Sequence, residues 1–513
     1  MALEDFMNKT KPRKKPSIKH FIVIAIAIWA AMVSASHGKA AGMTESECNF
    51  GAPFPPAKNH TLQCGYVEVP ADHADPKSTP YKLHVALYKS TLTNKKADPI
   101  IVLNGGPGQR TASIAPAASY MVEALAPERD LVFFDQRGVG ASQPSLDCPG
   151  FWDKATELQS LSMTEQNQQM LNHLQQCFTD LEKAGVNLGT FNTLQSADDV
   201  ALLIEALGTE KANLYGVSYG SRLAQEVMRR HPEKLRSVVL DAVVSTRANY
   251  IQNRESTVTQ SLRTILQRCE ADQACNTAHP NLSTRLENLA ERLDKEPLNI
   301  KVADLKTGQA LDVPVNAATF GGTLTLMQYT TPLVLNIPAY IDATDKGDLE
   351  VLTILVQYTQ SMVGLSSVGM QFAFACNEQI PFSKPEDLQV DRPIKAIQAS
   401  FADVAITYAR ACEGHQWNVI PASSLEPVQS DIPTLVLSGE LDPVTPPTYA
   451  REVQAALKNS TLVTFPDGAH GTFDPTPGNC AGTLVEAFLN DPLVPLNPEC
   501  AAIKHPFLIA PSK

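Results

Sequence analysis

The chain has 513 residues, 43% of them hydrophobic and 19% charged, with a formal net charge of −12. That balance belongs to a folded protein with a large core and excludes a disordered one. The first 40 residues hold seven Lys/Arg against two Asp/Glu, which leaves the body near −17 and speaks against nucleic acid as a partner, since phosphate binding needs a basic face.

In chain order, a basic stretch at 9–20 (KTKPRKKPSIKH) precedes 13 apolar residues from Phe21 to Val33 and a run of small residues ending at Ala40. This pattern predicts a secretory signal over 1–40, cleaved after Ala35 or Ala40. The apolar run is short for a membrane span, which needs about 20 residues. An uncleaved anchor is the alternative. A cleaved signal implies a secreted or periplasmic protein with no stable membrane association. All ten cysteines follow it, none in a C-x-x-C pair, which fits an oxidising compartment. Pairing in sequence order gives 48–64, 148–177, 269–275, 376–412 and 480–500, and any crossed pair would reject it.

Beyond the signal, GYVEVPAD and YKLHVALYKS read as an antiparallel pair of strands. Short, nearly all-apolar runs follow: PIIVLNGG, DLVFFDQRG, ANLYGVS, SVVLDAVV, PTLVLSGE and TLVTFPDG. Such runs are how strands covered on both faces read. With helical patterns between several of them, they predict an α/β fold with a mostly parallel, eight-stranded sheet. From about 245 to 430 the pattern is mostly helical, without β-α alternation. The expected organisation is therefore 41–244 as the first part of a core, 245–430 as an inserted helical lid, and 431–513 as the second part.

Within ANLYGVSYGSRLAQEVMRRH, Ser218 stands between a strand and a helix, flanked by Gly216 and Gly220. This is the context that a G-x-S-x-G nucleophile needs, with Ser218 on a sharp turn and a helix N-terminus behind it. Serine requires a histidine base, and the base requires a carboxylate. Asp442 follows the strand PTLVLSGE, and His470 follows TLVTFPDG, so the order Ser, Asp, His is met. Glu440 competes with Asp442 for the acid. Gly105 or Gly106, after the strand ending at Leu103, and the backbone N–H of Tyr219 are the expected oxyanion donors. Asp135 and Arg137 read as an ion pair bracing that glycine loop, and Asp241 as a strand-end hydrogen-bond acceptor. No metal or organic cofactor is implied.

The segments NGGPG (104–108), FFDQRGVGAS (133–142), GVSYGS (216–221), SGELDPVTPP (438–447) and GAHGTF (468–473) together resemble the proline iminopeptidase / tripeptidyl aminopeptidase family of α/β-hydrolases, in its larger secreted branch. The resemblance implies the α/β-hydrolase fold with Ser218, Asp442 and His470 as the triad. It also implies peptides with a free N-terminus as substrates. Two positions depart from the family: Asn104 stands where His is common, and the Trp-Glu pair of the compact proline-specific members is missing. An exopeptidase needs a carboxylate for the substrate's α-ammonium group. Glu378, in a CNE segment like that of the larger branch, is the first candidate and Glu413 the second, against the blander reading of both as solvated or paired acids. An esterase or lipase with the same triad is the rival function. A non-catalytic binding module on the same scaffold is a more distant one, because all three triad residues are present.

Overall fold

The computed structural model describes residues 42–50, 57–116, 119–158, 163–304, 308–362, 366–384, 390–474 and 478–510. The expected signal segment lies outside them. The strands are β1 (Thr44–Ser46), β2 (His60–Asp72), β3 (Asp75–Ser90), β4 (Ile100–Leu103), β5 (Leu131–Phe134), β6 (Ala212–Val217), β7 (Leu235–Asp241), β8 (Leu298–Ala303), β9 (Ala310–Val315), β10 (Thr434–Gly439) and β11 (Ser460–Phe465).

Nine of them form one sheet in the order β1-β2-β3-β5-β4-β6-β7-β10-β11. β1, β2 and β3 run antiparallel to their neighbours, and the pairs from β5 to β11 are parallel. The antiparallel pair and the six apolar runs all appear, and β1 adds a ninth, edge strand. Its three exposed residues carry no apolar signal. Every residue of β4, β5 and β10 is buried. The pleat splits β4 between two cores: Ile101 and Leu103 face one cluster, Ile100 and Val102 the other. Burial on both faces explains why these strands read as unbroken apolar runs.

Residues 242–433 sit between β7 and β10. They hold the helices Tyr250–Ala271, Leu282–Lys295, Ala317–Met327, Ile337–Asp345, Leu349–Met362, Val368–Glu378 and Val404–Ala411, among others. They also hold an antiparallel hairpin of β8 and β9, in a block expected to be mostly helical. In β8 the alternation Leu298-Asn299-Ile300-Lys301-Val302 buries Ile300 and Val302 and exposes Asn299 and Lys301, the period of a half-buried strand. This segment has its own core, which includes Leu262, Phe320, Tyr340 and Ile397. Leu441 and Ala469, from loops of the main sheet, belong to that core too. Ser261 Oγ donates to the Leu441 carbonyl at 2.8 Å, and Ala469 N donates to Thr331 Oγ1 at 3.0 Å. The five disulfides join neighbours in sequence, as expected. Cys376–Cys412 ties the helix Val368–Glu378 to the end of Val404–Ala411.

Candidate active site

β6 ends at Val217, and the helix Tyr219–Arg230 begins two residues later. Between them Ser218 has φ 56° and ψ −126°, a positive φ that costs a non-glycine residue of the order of 1–3 kcal/mol. Close packing enforces the turn. A Cβ on Gly216 would lie 2.5 Å from the Gly220 carbonyl oxygen, and one on Gly220 would lie 1.8 Å from that of Leu103. Ser218 N donates to the Asp241 carbonyl at 3.0 Å, which ties the turn to the end of β7.

Asp442 and His470 lie in the loops after β10 and β11. His470 Nδ1 is 2.9 Å from Asp442 Oδ2 and 3.1 Å from Oδ1. Asp442 Oδ1 also accepts from the N–H groups of Val444 and Thr445, both at 2.8 Å, and Oδ2 accepts from Thr445 Oγ1 at 2.6 Å. The carboxylate is fully buried and acts only as an acceptor, so it holds a proton on His470 Nδ1 and leaves Nε2 free to take another. Burial alone would lower the His470 pKa. The charge and hydrogen bond of Asp442, joined by the charge of Asp241, outweigh it and hold the pKa above the ordinary 6.5. Glu440, the rival acid, is exposed and paired with Arg268 at 2.6 Å.

Asp241 does more than end a strand. It accepts from Tyr215 Oη at 2.8 Å, from Thr472 N at 2.9 Å and from Phe473 N at 3.1 Å, so it pins the loop that carries His470. Burial raises its pKa despite these donors.

Ser218, Tyr219, Gly106 and His470 line one cavity of about 410 Å³. Among the described residues no hydrogen bond joins Ser218 Oγ to His470; such contacts commonly tighten only when substrate is bound. Of the two glycines expected to offer a donor, Gly105 is corrected by the structure: its N–H donates to Asn104 Oδ1 at 2.9 Å. Gly105 instead gives close approach, since a Cβ there would lie 2.8 Å from Ser218 Cβ. Gly106 and Tyr219 line the cavity. Asn104, where the family has His, thus restrains the glycine loop through its side chain.

The Asp135–Arg137 pair does not form. Asp135 braces the loop by accepting from Thr111 N at 2.8 Å and Ala112 N at 2.9 Å, whereas Arg137 pairs with Asp199 at 2.6 Å. Neither candidate for the substrate's ammonium group lines the cavity. Glu378 is buried, and both its oxygens are engaged: by Thr193 N at 2.5 Å, Thr193 Oγ1 at 2.9 Å and Arg222 Nη2 at 3.1 Å. Its charge is met by Arg222. Glu413 is exposed, beyond the helix Val404–Ala411. The cavity's far walls come from the 242–433 segment, through Tyr250, Arg254, Tyr329, Phe374 and Tyr408. No motif distinguishes these residues in the chain. Among the described residues no cluster of His, Cys, Asp and Glu could hold a metal ion, and no helix is long and apolar enough to cross a membrane.

A serine on a strained strand–helix turn, with an Asp-supported histidine after the last parallel strand, is the arrangement of the serine hydrolases. Residues 98–279 match the family model described as the alpha/beta hydrolase fold, and residues 399–500 match that of TAP-like protein. The chain has the α/β-hydrolase fold and a C-terminal region similar to TAP-like proteins. It is 30% identical over 225 residues to a tripeptidyl aminopeptidase of Streptomyces coelicolor, a match that covers 42% of this chain and 40% of that enzyme. It is 25% identical over 509 residues to the serine protease Hip1 of Mycobacterium tuberculosis, over 90% of this chain and 95% of that one. A carboxylesterase B of Mycobacterium tuberculosis is 38% identical over 93 residues, 17% of each chain.

Proposed function

We propose that the protein is an exported serine peptidase that removes short peptides from free N-termini. The observation that carries the reading is the cavity itself. The Ser218 turn and the Asp442–His470 pair meet there beneath helices of the 242–433 segment, in a chain whose relatives include a tripeptidyl aminopeptidase. A cavity of about 410 Å³ suits the end of a peptide rather than a folded chain. In the reaction, Ser218 Oγ attacks the scissile carbonyl carbon while His470 Nε2 takes its proton. The Gly106 and Tyr219 N–H groups stabilise the oxyanion. His470 then protonates the leaving amine, and water, deprotonated by the same imidazole, releases the acyl group from Ser218. The five disulfides support an oxidising compartment, and the 1–40 pattern supports export.

One observation favours a second reading, a carboxylesterase. Among the described residues lining the cavity none is Asp or Glu, so none of them matches an ammonium group by charge. The two are separated with residues 41–513 and a Ser218→Ala control. Matched fluorogenic peptides, free or acetylated at the N-terminus, are compared with a short-chain ester. Turnover of free amines alone supports the aminopeptidase. Indifference to acetylation, or activity on the ester alone, establishes the esterase.

A further inference from the structure

The cavity holds a charge that the acyl-transfer chemistry leaves unused. Among the described residues its lining includes Arg222, Arg254 and His470 and no carboxylate. Arg222 is answered by Glu378 at 3.1 Å and His470 by Asp442 at 2.9 Å. Arg254 is not answered. Its Nη2 donates to Tyr329 Oη at 3.2 Å, its guanidinium lies 5.5 Å from the Phe401 ring centroid, and its Nε is enclosed with no hydrogen-bond partner. No Asp or Glu among the described residues pairs with it, although the chain as a whole carries −12. A half-buried guanidinium that lines a cavity with no counter-charge beside it is open to an anionic partner, and the group that matches its planar fork best is a carboxylate. The Tyr329 ring stands edge-on to His470 with centroids 4.9 Å apart. One aromatic side chain therefore bridges the base and the unanswered cation.

We propose that Arg254, together with the Tyr329 hydroxyl, recognises a carboxylate of the substrate close to the bond that is cut. In a peptide this is the C-terminal carboxylate of a short chain or an acidic side chain beside the scissile bond. In an ester it is a second acid group on the acyl or the alcohol half. The inference rests on hydrolysis in this cavity, and not on whether peptide or ester is the natural substrate.

The test compares substrates matched in shape and differing in charge. 3-Acetoxybenzoate against 3-acetoxybenzamide places the carboxylate on the leaving group. Mono-p-nitrophenyl glutarate against p-nitrophenyl valerate places it on the acyl group. A tetrapeptide acid against its amide asks the same of a peptide. After correction for each compound's hydroxide rate, the wild-type protein is expected to favour the charged member of at least one pair by about tenfold or more in kcat/KM. The pair that responds identifies the side. Arg254→Gln brings that ratio towards one, and Arg254→Lys restores part of it. Independently of turnover, benzoate raises the wild-type Tm and benzamide does not, and Arg254→Gln loses the shift. Ratios near one in every pair overturn the inference, as does a ratio or a benzoate shift that survives in Arg254→Gln. Turnover of esters and of no peptide removes the peptidase reading and leaves this one standing. If no substrate is turned over, the hydrolase reading falls and the benzoate shift alone decides the carboxylate site.

Discussion

Replacing Asp442 by Asn keeps the size of the side chain and changes which atom can accept. Oδ1 faces the N–H groups of Val444 and Thr445, each at 2.8 Å, and both can only donate. The Asn oxygen must take that place, because an amide nitrogen there would set donor against donor. Its NH2 then occupies the Oδ2 position, 2.9 Å from His470 Nδ1 and 2.6 Å from Thr445 Oγ1. Facing a donor, Nδ1 must become the acceptor and the ring proton moves to Nε2, where the imidazole can no longer act as a base towards Ser218. The same exchange in serine proteases costs about 10⁴-fold in kcat, or about 5.4 kcal/mol. Most of this loss is kinetic, so the melting temperature changes little by comparison. The assay is kcat on the best substrate for wild type and Asp442→Asn across the pH range, with circular dichroism to confirm the fold. A loss under about tenfold, with an unchanged pH profile, would refute the tautomer argument.

Wild-type kcat/KM is expected to fall on the acid side with an apparent pKa above 6.5, because activity needs neutral His470 and its folded pKa is raised. It is lost as pH drops through that value, and a pH–rate profile with a midpoint at or below 6.5 contradicts the assigned cause. Glu378→Gln leaves Arg222 without its buried counter-charge and should lower stability by about 3–5 kcal/mol. It should leave the ratio of free to acetylated peptide turnover unchanged; a selective loss on free amines would reinstate Glu378 as an ammonium site. Gly220→Ala drives a Cβ to 1.8 Å from the Leu103 carbonyl oxygen, whereas nothing lies within 4 Å of a Cβ on Gly322 in the helix Ala317–Met327. The first should destabilise by at least about 3 kcal/mol and the second stabilise by about 0.5–1 kcal/mol, both read from denaturant unfolding.

The sheet and the places of Ser218, Asp442 and His470 at its strand ends were legible because their signals are local. A fully buried strand shows as an apolar run, and Ser218, Asp442 and His470 each stand just beyond one. What failed depends on partners distant in sequence. Glu378 is visibly an acid near a cysteine, but nothing beside it reveals that Arg222 and Thr193, more than 150 residues earlier, occupy both its oxygens. Arg137 reads as the partner of its near neighbour Asp135, while tertiary packing delivers Asp199. Gly105 and Gly106 look equivalent until Asn104 takes the N–H of one of them. Arg254 and Tyr329 lie on segments whose pattern reports only helix, 75 residues apart, and no periodicity marks that they meet.

The placing of Leu441 and Ala469 in the core of the 242–433 segment bears on when the protein can act. Synthesis proceeds from the N-terminus, so a growing chain acquires its nucleophile long before its base. The strained Ser218 turn can form early and remain inert. The loops of Asp442 and His470 lean on residues of the intervening segment, so the packing of that segment helps to hold acid and base in place. A chain that ends within 242–433 therefore carries Ser218 but neither Asp442 nor His470, and has no base to activate it.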